Sequence, residues 1–324
     1  MRPILCLLPA LALLPSIAHA EEKPQMVIVS FDGAHDNALW EKSRAMAKRS
    51  GAHFTYFLSC TFLMNTAQKK VYHAPHQKKG RSNVGFAQSE AEIHTRLDHI
   101  WAAHLEGHDI GSHACGHFDG KDWTKADWSA EFDTFRTTLA DAWKNAGVAD
   151  REPEGWQELV AHGIEGFRVP YLSAGKGLVE AEKQHGFTYD ASLVTKGPMP
   201  PREEDGILRF GLPLIPEGPN GKPVIAMDYN LFVRHSLGVE NKARSAEFEE
   251  RTLAAYRAAF DKQYHGERIP LQLGFHFVEM NAGAYWRALD RFVTDVCGKP
   301  DVACVSYAEA IGRMNAPETK NSAF

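Results

Sequence analysis

The chain has 324 residues, 36 lysines and arginines against 41 acids, and a formal net charge of −5. That mild acidity excludes the basic face of a nucleic-acid binder. The length is enough to bury one large core, as α/β barrels do. The chain opens on MRPILCLLPALALLPSIAHA, which has one cation (Arg2), an apolar run and the small-residue ending Ala18-His19-Ala20. This is the layout of a secretory signal peptide, and the apolar run is too short and too broken by proline to span a membrane. Cleavage after Ala20 would leave residues 21–324 as an exported chain with no membrane span. Cys6 belongs to the discarded segment. Cys60, Cys115, Cys297 and Cys304 remain, and an even count in an oxidising compartment suggests disulfides. Cys297 and Cys304 suit one pair, which leaves Cys60 and Cys115 for the other, although sequence does not fix connectivity.

Residues 26–31, MVIVSF, form a continuous apolar run that fits a strand buried on both faces, and it stops at Asp32-Gly33. Helical spacing follows in Leu39, Trp40, Ser43, Met46 and Ala47. HFTYFLS, 53–59, predicts the next strand, and 61–88 a long polar loop. Ser89 and Glu92 open a helix as a capping box. HDIGSH predicts a short strand running into GHDIGSHACGHFDG, 107–120. A helix over 124–145 precedes a strand and turn at IEGFRVPY, a helix at GLVEAEKQHG and a strand at FTYDAS. Residues 196–245 are rich in Pro and Gly and read as irregular, with short apolar pieces at 211–215 and 223–227. A helix over 245–263, a strand at IPLQLGFHF, a helix over 283–297 and a strand at ACVSY complete the chain. Sustained β-α alternation means a parallel sheet, open or closed into a barrel. Asp32, His113, Arg168, Asp190 and His276 fall just after strand ends, where α/β folds place their sites.

Each of these groups has a chemical reading and a structural one. His113 and His117 are four apart on a turn entering a helix, so both imidazoles can meet one ion; the alternative is a polar surface turn. Gly111 and Gly116 let the backbone approach closely. Asp32 ends a buried strand, where a carboxylate needs a partner or a metal, or else caps a helix. Asp36 is near enough to contribute a second carboxylate. Arg168 can hold a carboxylate by a two-pronged hydrogen bond, and the turn at Tyr171 can aim a backbone N–H at an oxyanion. His276 alone reads as a core histidine, and it gains weight by sharing the sheet end. Trp123, Trp128 and Trp286 suit sugar stacking, but their helical spacing favours the core. Lys69, Lys70, Lys78, Lys79 and Arg81 suit an anionic polymer or a solvated loop.

The order of motifs resembles the NodB-type polysaccharide deacetylases, a carbohydrate esterase family, over about residues 26–310. GHDIGSHACGH and FRVPY carry the resemblance most specifically. It implies a distorted (β/α) barrel, with insertions at 61–88 and 196–245, and a divalent metal, most often zinc. It also implies that Asp32, His113 and His117 hold the metal and that Arg168 orients the catalytic Asp32. Tyr171 marks the oxyanion turn, Asp190 supports the second catalytic group, and His276 is the general acid. One departure stands out. The family reads Thr-Phe-Asp-Asp-Gly where this chain reads Ser30-Phe31-Asp32-Gly33, so the second, metal-binding aspartate is missing, and Asp32 or Asp36 would have to replace it.

The resulting expectation is an exported, monomeric, metal-dependent hydrolase that removes N-acetyl groups from an amino-sugar polymer: peptidoglycan, chitin-like chains or poly-N-acetylglucosamine. Two alternatives are a metal-independent amidase of the same superfamily acting on a small C–N substrate, and a non-catalytic glycan-binding relative.

Overall fold

A computed structural model describes residues 23–316, so the segment read as a signal peptide lies outside the described residues. One sheet organises these residues. Its strands are β1 (Gln25–Gly33), β2 (Thr55–Leu58), β3 (Asp109–Ser112), β4 (Gly166–Phe167), β5 (Tyr189–Thr195), β6 (Arg202–Glu204), β7 (Ile207–Glu217), β8 (Lys222–Ile225), β9 (Leu271–His276) and β10 (Val302–Val305). From β1 the order runs β2-β3-β4-β5-β7 in parallel, and β9 and β10 also pair in parallel with β1. Only β6 and β8 lie antiparallel, both against β7. A parallel bridge between Met227 and Gly274 brings the chain after β8 back to β9. The sheet therefore curls into a distorted barrel, as expected.

The alternation along β1 places the chemistry. Val27, Val29 and Phe31 join the large core between sheet and helices, whereas Met26 and Ile28 join a smaller core inside the barrel with Phe57, Tyr189, Phe210 and Tyr307. Continuing that period of two sets Ser30 and Asp32 on the inner face at the strand's C-terminal end. Trp128 and Trp286 are fully buried and Trp123 nearly so, which makes all three core residues. Burying each such side chain contributes roughly 1.5–3 kcal/mol.

Residues 196–245 depart from the irregular reading. They form β6, β7, β8 and the helix Asp228–Ser236, and β7 is a full strand of the barrel. Pro213 and Pro216 argued against a strand there. Pro213 takes the last register position of the β5–β7 ladder, opposite Thr195, and Pro216 lies where β7 pairs only with the short strand β8, opposite Pro223. Within 61–88 the structure adds a short helix, Thr66–Val71, capped reciprocally by Asn65 and Gln68. Both cysteine pairs, Cys60–Cys115 and Cys297–Cys304, close as disulfides. Among the described residues no helix is long and apolar enough to cross a membrane.

Candidate active site

Asp32 and His276 are register partners on the neighbouring strands β1 and β9, so two ionisable groups stand side by side at the barrel's C-terminal rim. Arg168, just past β4, reaches across beneath them. Its Nη1 donates to Asp32 Oδ1 at 2.9 Å and to Ser30 Oγ at 2.7 Å, its Nε to the Ala191 carbonyl at 2.9 Å, and its Nη2 to Tyr307 Oη at 3.0 Å. The guanidinium also lies 4.6 Å from the Phe57 ring centroid. The pair is buried, with side chains 0% and 3% exposed. Burial alone would raise the Asp32 carboxyl, but Arg168, His113 and His276 outweigh it and hold Asp32 below its ordinary value. It is therefore a carboxylate at neutral pH.

His276 takes the opposite character. Its Nδ1 donates to Asp228 Oδ1 at 2.7 Å, and its backbone N–H donates to Asp228 Oδ2 at 2.9 Å. Burial would lower His276, but the Asp228 carboxylate more than offsets this and raises it above 6.5. Base and acid are thus tuned apart on adjacent strands, the arrangement that general acid–base chemistry requires.

His113 follows β3 and His117 follows it at the end of a tight turn, their ring centroids 5.0 Å apart. Ala114 and His117 both adopt positive φ. The turn is pinned from several sides. Buried Glu131 accepts from the N–H groups of Cys115 and Gly116, Cys115 is disulfide-bonded to Cys60, and Asn83 Nδ2 donates to the His117 carbonyl at 3.0 Å. At Gly116 a Cβ would come within 2.5 Å of Tyr72 Oη and the Phe118 ring, so glycine is required there by contact. His117 packs on Tyr171 at 4.7 Å and, driven by burial, titrates down at about 3. Tyr171 is exposed, with φ 59° in the turn after Arg168. A cavity of about 610 Å³ opens over Asp32, His113, His117, Tyr171 and His276, walled by Val169, Val194, Ile225, Met227 and Tyr229.

The histidines suit a divalent ion in part. His113 Nδ1 sits 2.7 Å from the Arg168 carbonyl and so acts as the donor, which leaves a bare Nε2 that is buried and without a partner. His117 is held neutral. Among the described residues a third converging donor is missing. Asp36 is exposed and caps the helix Asn37–Ser50 by accepting from Leu39 N at 2.9 Å, and Gly33 has no side chain. Among the described residues no three His, Cys, Asp or Glu side chains come together as a metal site. The site supplies two imidazole donors, and a closed three-donor set does not form.

No protein-family model matches the sequence, and no curated protein matches it. Solved structures do. A Mycobacterium smegmatis protein provisionally described as a polysaccharide deacetylase is 16% identical, over 91% of this chain and 92% of its own, with a TM-score of 0.53. Another from Pseudomonas aeruginosa PAO1, described in the same provisional way, is 12% identical over 90% and 91%, with a TM-score of 0.53. The PuuE allantoinase is 13% identical over 94% and 95%, with a TM-score of 0.54. The chain has the polysaccharide deacetylase fold.

Within that fold the structure brings Asp32, His113, His117, Tyr171 and His276 to one cavity, with Arg168 fully buried beneath Asp32. Asp190 is placed elsewhere. Its Oδ2 meets Arg209 Nε at 2.5 Å, and its Oδ1 accepts from Ser192 Oγ. Ser192 Oγ in turn accepts from Val169 N at 2.8 Å, so Asp190 braces the Arg168–Tyr171 turn and leaves His276 to Asp228. Sequence reasoning missed Asp228. It lies in the stretch read as irregular, yet its signal was present: an apolar piece, 223–227, ending in an acid, the same pattern that marked Asp32.

Proposed function

We propose that the chain is an exported carbon–nitrogen hydrolase that removes N-acetyl groups from an amino-sugar polymer. The observation that carries this reading is the pair of oppositely tuned groups, Asp32 with Arg168 and His276 with Asp228, on adjacent strands facing one cavity. Asp32, kept ionised by Arg168, takes a proton from water as the water oxygen bonds to the acetamide carbonyl carbon. The backbone turn at Tyr171 receives the developing oxyanion. His276, kept protonated by Asp228, gives its proton to the nitrogen as the C–N bond breaks. Acetate and a free amine leave. Asp190, acting through Ser192, holds the turn in place.

Zinc at Asp32, His113 and His117, as the resemblance implies, enters none of these steps. Two imidazoles without a third converging donor predict metal binding weaker than that of a closed site. That incomplete donor set favours a second reading, a metal-independent hydrolase of a small C–N substrate. Acetate release from N-acetylglucosamine oligomers by the purified chain tests the first reading. Loss of that release on dialysis against a chelator would establish metal dependence. Unchanged release would leave the four named side chains to do the chemistry. No release from any N-acetylated oligomer, with or without added zinc, would favour the second.

A further inference from the structure

Between Glu41 and Glu90 the sequence contains no acid, although the whole chain is net acidic at −5. Within this span Lys69, Lys70, Lys78, Lys79 and Arg81 are all exposed. None of the five has an acidic partner within 4.0 Å among the described residues, whereas Lys42, Arg44 and Arg49 from the same span do, in Glu279, Glu106 and Asp290. Solvated faces ordinarily mix both signs, so a one-sign segment on an acidic molecule calls for an anion. The segment also has shape. Lys69, Lys70 and Lys79 wall a cavity of about 720 Å³ with Asn65, Phe86 and Gln88. Lys69 Nζ lies 5.1 Å from the Phe86 ring centroid, and Gly80 N donates to the Tyr72 carbonyl at 2.8 Å, which closes the loop into a wall.

This second cavity adjoins the catalytic one along the chain. Asn83 and Val84 line the catalytic cavity, and the very next residues, Gly85 to Gln88, line the basic one. Neighbouring Cα atoms are about 3.8 Å apart, so the segment 83–88 borders both cavities. We propose that residues 65–88 form a binding surface for a carboxylate-bearing glycan, which makes the substrate an acidic N-acetylated polymer. The single ammonium groups of Lys69, Lys70 and Lys79 suit isolated carboxylates. Arg81, the segment's one guanidinium and the better fork for phosphate, is not among the lining groups.

This inference rests on the proposed polymer-deacetylase reading, and its test separates the two. Full-length protein and the Lys69→Gln/Lys70→Gln/Lys79→Gln variant are run by native electrophoresis through gels containing hyaluronan, neutral glycol chitin or a poly(glycerol phosphate), and acetate release from N-acetylglucosamine oligomers is measured alongside. Binding in the gel does not require turnover. The surface predicts that hyaluronan retards the wild type, that the variant binds it roughly tenfold more weakly, and that added salt removes the difference. Retardation by glycol chitin and acetate release from the neutral oligomer stay unchanged. If hyaluronan retards both proteins equally, or only the phosphate polymer discriminates them, the surface proposal fails whatever the acetate assay shows. Charge-dependent retardation by hyaluronan with no acetate released from any oligomer would keep the surface and overturn the deacetylase reading.

Discussion

Asp228 shows how one carboxylate sets another residue's orientation and protonation. Its two oxygens fix the orientation of His276 and raise its titration above 6.5, while Arg168 holds Asp32 below the ordinary carboxylate value. In the proposed mechanism the active form, Asp32 ionised and His276 protonated, lies between those two values. Its acid limb falls as pH drops through the depressed Asp32 value, and its alkaline limb falls as pH rises through the elevated His276 value. In Asp228→Asn the raising charge is gone and burial dominates, so the alkaline limb of kcat/KM should move to lower pH while the acid limb stays. An unmoved alkaline limb would remove Asp228 from this role. At Gly33 the backbone has φ 85°, and a Cβ would meet only the Phe62 ring at 4.0 Å. Aspartate tolerates such a conformation better than most residues, at a cost of about 1–3 kcal/mol. Gly33→Asp should therefore fold and bind zinc more tightly than the wild type by isothermal titration, because it supplies the third donor. Equal affinity would mean that the two imidazoles are not the start of a metal site.

The histidine turn depends on elements distant in sequence. The Cys60–Cys115 bridge links residues 55 apart and ties the end of β2 to the loop carrying His113 and His117. Loop-closure entropy gives it roughly 4 kcal/mol, against about 2 kcal/mol for Cys297–Cys304, which spans 7 residues. Urea unfolding of Cys60→Ala/Cys115→Ala should lose about that amount, and more than Cys297→Ala/Cys304→Ala loses. The reverse order would contradict the loop argument. Elements with a strong period were legible in sequence: the buried run of β1, the helix Ala284–Val296, and the strand ends carrying Asp32, Arg168 and His276. The stretch 196–245 was not, because proline argues against strands in general while this edge of β7 accepts it. With β7 unread, the helix that follows β8 was unread too, and Asp228 with it. Asp190 misled for a related reason. The family resemblance marks Asp190 as a site residue, but only the fold shows that its oxygens go to Arg209 and Ser192.

At the scale of the whole molecule, a curled, mostly parallel sheet gathers groups from β1, β3, β4 and β9 at one rim. An acid-free segment beside that rim sets its charge apart from the rest of an acidic chain. The central claim is that the Asp32–Arg168 pair and the Asp228–His276 pair act as base and acid in amide hydrolysis. Its most direct test is acetate release from N-acetylglucosamine oligomers by the wild type, Asp32→Asn and His276→Ala, each shown to be folded by its unfolding midpoint. The account predicts release by the wild type and a fall in kcat of roughly 10²–10⁴ in each variant. Release at the wild-type rate from either folded variant would contradict it.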